Sequence, residues 1–450
     1  LHSFPTRRSS DLNLCLMSNS WLIVNGRILD PASGRDEQGD LLIIDGVFAP
    51  PGEAVPPDAG RIDATGLWVT PGLIDMHTHL REPGWEYKED IRSGCQAAAA
   101  GGFTGVACMP NTRPVNDCAA ITRFILEKAR VAAARVYPIG AISQGSRGEL
   151  LADFGELREA GAVAVSDDGR PVESSQLMRR ALEYANDFDL PVISHCEDLG
   201  LGRGAMHEGP HATRLGLRGI PAAAESVMVF RDIALAECTG LSVHIAHVST
   251  AQSLHIIRAA KARGVRVTAE TAPHYFTLTD EAVGDYDTNA KMNPPLRSAG
   301  DREAVRQALA DGTLDVIVTD HAPHSCLEKE CEFEKAANGI IGLESSLGLS
   351  LCLVRDGLLT PLRLIELMSL APARILHLPA GTLAPGAAAD LTLINPDLPY
   401  TFSEGDIHSR SRNTPFLGRL LPGRAVLTMV DGRVSYRKNL ASTAAPAHDA

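Results

Sequence analysis

Gly72-Leu-Ile-Asp-Met-His-Thr-His-Leu-Arg-Glu-Pro-Gly84 is the stretch on which the fold turns. An apolar run ends in His77 and His79, and alternation along a strand sends both imidazoles to one side. Two neutral imidazoles converging at the C-terminal end of a strand suit a borderline metal such as Zn²⁺, which takes nitrogen and carboxylate ligands. A pair of surface or core histidines is the blander alternative, and a short motif alone does not decide between them.

The chain around this stretch alternates β-type runs with helical patterns, as a parallel α/β architecture requires. Strands are expected to end at His79, near Asn111, near Ser143, at Asp168, at His195, at His247, near His274 and at Asp320. Helices are expected over Asp117–Ala134, Ser174–Asn186, Ala222–Glu237, Thr250–Arg263 and Arg302–Ala310. That number and order predicts an α/β fold of the TIM type, a (β/α)8 barrel over residues 71–380, with the polar residues at the strand ends where barrel active sites lie.

Before the barrel, short runs at Trp21–Val24, Asp40–Ile44 and Leu67–Val69 are separated by Asn-Gly, Asp-Gly and Pro turns and read as antiparallel strands. The same texture returns at Ala389–Ile394 and Ala425–Val430. Residues 17–70 and 381–440 are therefore expected to pack as one small discontinuous β-sandwich domain built from both chain ends. The tail 441–450 reads as frayed. Residues 1–16 resemble translated adapter sequence and are expected to be a non-native leader, with the native start near Met17.

Hydrophobic residues at 44% and charged residues at 22% fit a globular protein with a sizeable core. A net charge of −13 argues against a nucleic-acid or anionic-membrane binder, because phosphate attraction needs a basic face. No apolar stretch is long and charge-free enough to span a bilayer. Nine cysteines without a Cys-x-x-Cys pair point to reduced thiols and a cytoplasmic location. Cys326 and Cys331 read as loop residues rather than metal ligands.

Four further residues end apolar runs. Asp168 lies in Ser166-Asp-Asp-Gly169, where an Asp-Gly turn is the structural alternative to a bridge between two cations. His195 and His247 would each, taken alone, pass for a hydrogen-bonded core histidine. His244 points the other way from its strand position relative to His247 and reads as structural. Asp320 follows a β-branched run, and a buried carboxylate there needs a cation or strong donors. Together His77, His79, Asp168, His195, His247 and Asp320 can fill a two-metal site, whose chemistry is hydrolysis of an amide or ester or its reversal. No Gly-rich phosphate loop competes with that reading.

From about Met17 to Lys438 the chain resembles the dihydroorotases, in their bacterial class I form, within the amidohydrolase superfamily. The segments carrying the resemblance are Asp75–Gly84, Met109–Thr112, Ser166–Gly169, His195–Asp198, His247–Thr250, Lys291–Arg297, Thr319–His324 and Asn413–Phe416. The resemblance implies reversible cyclisation of N-carbamoyl-L-aspartate to L-dihydroorotate in pyrimidine biosynthesis, with two Zn²⁺ per chain. It implies that His77, His79 and Asp320 hold one metal and His195 and His247 the other, with Asp168, chosen over Asp167 on this basis, as the bridge. A hydroxide shared by the metals would attack the ring amide while Asp320 takes and returns the proton.

Substrate contacts carried over are Arg81, Asn111, Asn293, His324, Asn338 and Gly339. Arg81 has its own physical case, since a forked guanidinium matches a carboxylate in two bonds. Lys291 and Arg297 are assigned to structural ion pairing. Tyr275 after His274, and Asn338 before Gly339, depart from what relatives often carry. A homodimer and a complex with aspartate transcarbamoylase are partners the family suggests. The competing readings are a sister cyclic amidohydrolase, allantoinase or hydantoinase, against which Arg81 argues, and a non-catalytic scaffold, which would typically have lost metal ligands.

Overall fold

A computed structural model of the chain describes residues 19–438; the leader, the proposed start and the tail lie outside that range. Eight parallel strands form the centre: β1 (Leu73–Thr78), β2 (Phe103–Cys108), β3 (Arg135–Gly140), β4 (Ala164–Ser166), β5 (Val192–Ser194), β6 (Val243–Ile245), β7 (Val267–Thr271) and β8 (Val316–Ile317). They hydrogen-bond in chain order from β1 to β8. The ring closes through a parallel bridge between Thr78 and His321, supported by His79 N–H donating to the His321 carbonyl at 2.9 Å. Most strand residues are apolar and nearly all are buried, as expected where helices cover one face and the barrel fills the other.

A helix follows each strand: α1 (Ile91–Gly101), α2 (Ala119–Ala129), α3 (Phe154–Ala160), α4 (Ser175–Asn186), α5 (Ala223–Thr239), α6 (Ala251–Ala262), α7 (Ala299–Ala310) and α8 (Leu343–Arg355). Asp90, Ser174, Thr250 and Ser298 start α1, α4, α6 and α7 by accepting an N–H of the first turn. Ser298 is why α7 begins at Ala299, ahead of the expected Arg302. Helix α2 stops at Ala129, short of the expected Ala134, because Arg130–Ala133 turn the chain into β3.

The strands end one to three residues before the polar residues expected to terminate them. His247 (φ 32°) and Asp320 (φ 48°) have left-handed backbones that leave the ladder. Non-glycine residues seldom adopt that conformation, and it clusters at functional sites.

Both chain ends contribute to a second, eight-stranded sheet. Trp21–Asp30 pairs antiparallel with Arg35–Ile44, but it also takes Gly60–Asp63 and Trp68–Pro71 in parallel, which corrects the purely antiparallel expectation. Leu391–Asn395 then pairs antiparallel with Trp68–Pro71 and joins the two ends into one continuous sheet. Ile23, Ile28, Ile43, Phe48, Leu391 and Met429 fill its own apolar core. Its contacts to the barrel include Thr392 Oγ1 donating to the Gly102 carbonyl and Thr428 Oγ1 to the Ala99 carbonyl, at 2.6 and 2.7 Å. Residues 408–414 run back over the barrel mouth, where Asn413 meets the loops after β8.

Candidate metal centre

All six side chains expected to hold metal converge at the C-terminal ends of the barrel strands and are buried. Asp168 stands at the centre. Its Oδ1 lies 3.4 Å from His77 Nε2, 3.4 Å from His195 Nδ1 and 3.5 Å from His247 Nε2, while its Oδ2 lies 3.5 Å from His79 Nε2. Asp320 Oδ1 is 3.1 Å from His79 Nε2 and 3.7 Å from His77 Nε2. His195 Nδ1 and His247 Nε2 face one another at 2.7 Å. Two groups have the spacing to hold a cation, His77 with His79 and Asp320, and His77 with Asp168 and His247.

Several polar atoms in this cluster have no hydrogen-bond partner among the described residues: His77 Nε2, Asp168 Oδ1 and His247 Nδ1 are all buried and unpaired. Buried polar atoms are ordinarily satisfied, so orphaned imidazole nitrogen and carboxylate oxygen crowded around one space fit a metal with N and O ligands. The electrostatics agree. Burial opposes a charge on His77, yet the Asp168 and Glu270 carboxylates hold it well above the usual histidine range. Burial likewise opposes a proton on His195, but the neighbouring Asp168 and Glu197 carboxylates bring it up to about 10. Burial works to raise Asp168, and the surrounding imidazoles, His77 foremost, hold it well below the carboxylate range. The carboxylates thus favour positive charge at His77 and His195, whereas burial lowers His79.

Asp167, next to Asp168, faces away. It accepts from the backbone N–H groups of Ile142 and Ser143 at 2.9 and 3.1 Å and from the Ser143 hydroxyl, so its work is to hold the turn after β3.

A cavity of about 210 Å³ opens over the cluster, lined among others by Arg81, Asn111, Asn293, His324, Asn338 and Gly339. Arg81, itself left-handed (φ 63°), donates from Nε to the Pro323 carbonyl at 3.2 Å. Its Nη2 lies 3.3 Å from His324 Nε2, and that nitrogen also lies 2.8 Å from the Asn338 carbonyl. With Nε2–H donated to the carbonyl, no lone pair is left there for Arg81, and the guanidinium edge remains a free donor. Burial lowers Arg81 only to about 10, so it stays charged near neutrality. Burial, and Arg81 after it, pushes His324 down to about 2, which keeps its imidazole neutral.

The amides are partly engaged. Asn111 Oδ1 lies 2.9 Å from His79 Nδ1 and orients that ring, leaving its NH₂ for a ligand. Asn293 Nδ2 donates to Glu197 at 2.9 Å, and Glu197 sits 3.2 Å from His195 Nε2. Gly339 (φ 124°) belongs where a Cβ would come within 2.5 Å of the Ala322 side chain. Its N–H is given to the Lys291 carbonyl, and its own carbonyl accepts from Asn413 and Lys329. Gly339 therefore shapes the wall, with its backbone groups already occupied.

Among the described residues Lys291 forms no ion pair, contrary to expectation: its ammonium donates to the carbonyls of Glu334 and Ala336 at 2.8 Å each. Arg297 approaches Glu225 at 3.9 Å but bonds better to Ser249 Oγ at 3.1 Å and the Ile220 carbonyl at 3.0 Å. Three residues in supporting positions were given no role from the sequence: Glu197 and Asn413, which lie in segments that carry the family resemblance, and Glu270. The first had a signal, since a side chain two positions beyond His195 returns to the same side of an extended segment.

A family model described as Dihydro-orotase-like matches residues 66–253. The dihydroorotase of Desulfotalea psychrophila (strain LSv54 / DSM 12343) is 62% identical over 416 residues, covering 92% of this chain and 99% of that one. That of Pelobacter propionicus (strain DSM 2379 / NBRC 103807 / OttBd1) is 58% identical over 421 residues, covering 93% and 99%. Among solved structures, the L-hydantoinase (dihydropyrimidinase) from Arthrobacter aurescens superposes with a TM-score of 0.82 over 93% of this chain and 96% of its own, at 24% identity, a likeness of fold. Hydantoinases share the barrel at low identity, whereas dihydroorotases share more than half the residues over nearly the whole length, and on that ground the chain belongs to the dihydroorotase family.

Proposed function

We propose that the chain interconverts N-carbamoyl-L-aspartate and L-dihydroorotate in pyrimidine biosynthesis, using two zinc ions held by His77, His79, Asp168, His195, His247 and Asp320. The observation that carries the substrate is Arg81, a buried guanidinium with a free edge in the cavity above the ligand cluster. The substrate's α-carboxylate is the group a forked cation would take.

Bound zinc supplies Lewis acidity and activates water near neutral pH. The protein's own groups do the rest. Arg81 pairs with the carboxylate, the free NH₂ of Asn111 and the amide of Asn293 direct the ring, and His324 as a neutral imidazole stands beside Arg81 without competing for the anion. Asp320, within reach of His79, accepts the proton released when water attacks the ring amide and delivers it to the departing ring nitrogen. Closure follows the same path backward, so it begins with Asp320 protonated and is favoured at lower pH.

Dihydrouracil is the same ring without the carboxylate, and it tests the assignment. Ring opening of L-dihydroorotate with little or none of dihydrouracil is expected. Equal rates on both would remove Arg81 from substrate selection and favour a less specific cyclic amidohydrolase.

A further inference from the structure

Glu270, on β7, is a fully buried carboxylate outside the six ligating residues, and its contacts lead to both metal positions. Its Oε1 lies 2.6 Å from His77 Nδ1 and accepts from the His247 backbone N–H at 3.3 Å. Its Oε2 lies 3.1 Å from His244 Nε2, and His244 Nδ1 lies 2.8 Å from Thr268 Oγ1. No lysine or arginine pairs with it among the described residues.

These distances admit one consistent pattern of donors. The Thr268 hydroxyl donates to His244 Nδ1, His244 Nε2–H donates to Glu270, and His77 Nδ1–H donates to Glu270 from the other side. Neutral His77 is thereby fixed as the tautomer whose Nε2 lone pair faces Asp168 and Asp320, at 3.4 and 3.7 Å. Through the His247 amide the same carboxylate also steadies the left-handed turn that presents a ligand of the second metal. Charge points the same way, since two divalent ions bring four positive charges and Asp168 and Asp320 offset only two.

We infer that Glu270, braced by His244, is a positioning residue that sets how tightly both metals are held. This rests on the two-metal reading above. It gives His244, buried in the barrel and outside the ligand set, a function toward the metal centre: keeping the Glu270 carboxylate aimed at His77.

The test is metal retention rather than turnover. Wild-type holoenzyme, Glu270→Gln, His244→Asn and His244→Gln would be titrated with a zinc chelator, their cobalt(II)-loaded forms recorded in the visible, and the metal-stripped forms melted. Glu270→Gln keeps the shape and loses the charge, and it should bind zinc 10- to 100-fold more weakly, the usual effect of losing an outer partner of a ligating histidine, with an altered cobalt spectrum. His244→Asn, too short to reach Glu270, should weaken binding in the same direction. His244→Gln, which can present a donor near the original Nε2, should restore it to within a few-fold of wild type. The metal-stripped Glu270→Gln protein should melt close to metal-stripped wild type. Zinc held by Glu270→Gln as tightly as by wild type would overturn the inference, and should that variant not fold, wild-type retention by His244→Asn would do the same. A wild type that bound no zinc would instead overturn the two-metal reading.

Discussion

Thr319 and Asp75 tie the last barrel strand to the first at the level of the metal ligands. Thr319 donates twice to the buried Asp75 carboxylate, from Oγ1 at 2.5 Å and from its backbone N–H at 3.2 Å, and the His77 N–H donates to the same carboxylate at 3.1 Å. One side chain thus fixes the backbone of His77 and of the residue before Asp320. Asp75→Ala leaves these donors unsatisfied, and each buried orphan costs about 1–3 kcal/mol. The expected result is a lower melting temperature and a loss of turnover that persists at temperatures where the variant is folded. Full activity in the folded variant would show that the tie is not needed for ligand placement.

Asp320→Asn removes the proton acceptor while keeping size and polarity. Ring opening and ring closure should both fall by about 10²–10⁴, the usual scale of general acid–base catalysis, with the circular dichroism spectrum unchanged. Measurable turnover near the wild-type rate in either direction would exclude the role.

Arg81→Lys keeps the charge but cannot make the paired bonds of a guanidinium. The KM for L-dihydroorotate should rise roughly 10- to 150-fold, corresponding to about 1.5–3 kcal/mol for a hydrogen bond to a charged group. Any residual action on dihydrouracil should be unchanged. A rise in both KM values together would point to a structural effect.

Metal loading should depend on pH in a defined direction. In the metal-free protein burial opposes charge on His77 and His195, but neighbouring carboxylates hold both above the usual value, His195 at about 10. Those protons must leave for zinc to bind, so apparent affinity should increase as pH rises from neutrality towards about 10. The stability that the protonated imidazoles lend the metal-free fold is complete below the ordinary histidine value of about 6.5 and is lost as pH climbs through the raised values. Calorimetry in buffers of different ionisation enthalpy should show proton release on zinc binding, and the metal-free protein should melt lower at alkaline pH. Proton-neutral binding would contradict this.

Asn413 holds the roof of the cavity by donating to the Ala322 and Gly339 carbonyls at 3.0 Å each and accepting the His324 N–H at 3.1 Å. Asn413→Ala should raise KM more than it lowers kcat, because it loosens the substrate wall and leaves the ligand cluster untouched. A pure kcat effect in steady-state kinetics would be the contrary outcome.

The barrel was legible because each parallel strand announces itself as an apolar run ending in a polar residue, and the ligand cluster was legible because those polar residues are His and Asp. What the sequence hid is where each partner comes from. Glu270 sits in Val267-Thr-Ala-Glu-Thr271, and nothing local says that its carboxylate meets His77, 193 residues away. Asn413 is 89 residues from His324 and lies in a loop arriving from the second sheet. Lys291 looked like half of an ion pair because sequence displays charges and not the backbone carbonyls that a folded loop turns inward. The left-handed turns at His247 and Asp320 are equally silent, since neither residue type demands them.

The most direct measurement is ring opening of L-dihydroorotate, followed by loss of ultraviolet absorbance, with zinc content determined on the same sample and hydantoin and allantoin run alongside. Activity confined to dihydroorotate with about two zinc ions per chain, as a two-metal site requires, is the expected result. A zinc-loaded protein silent on dihydroorotate but active on another of these rings would contradict the assignment.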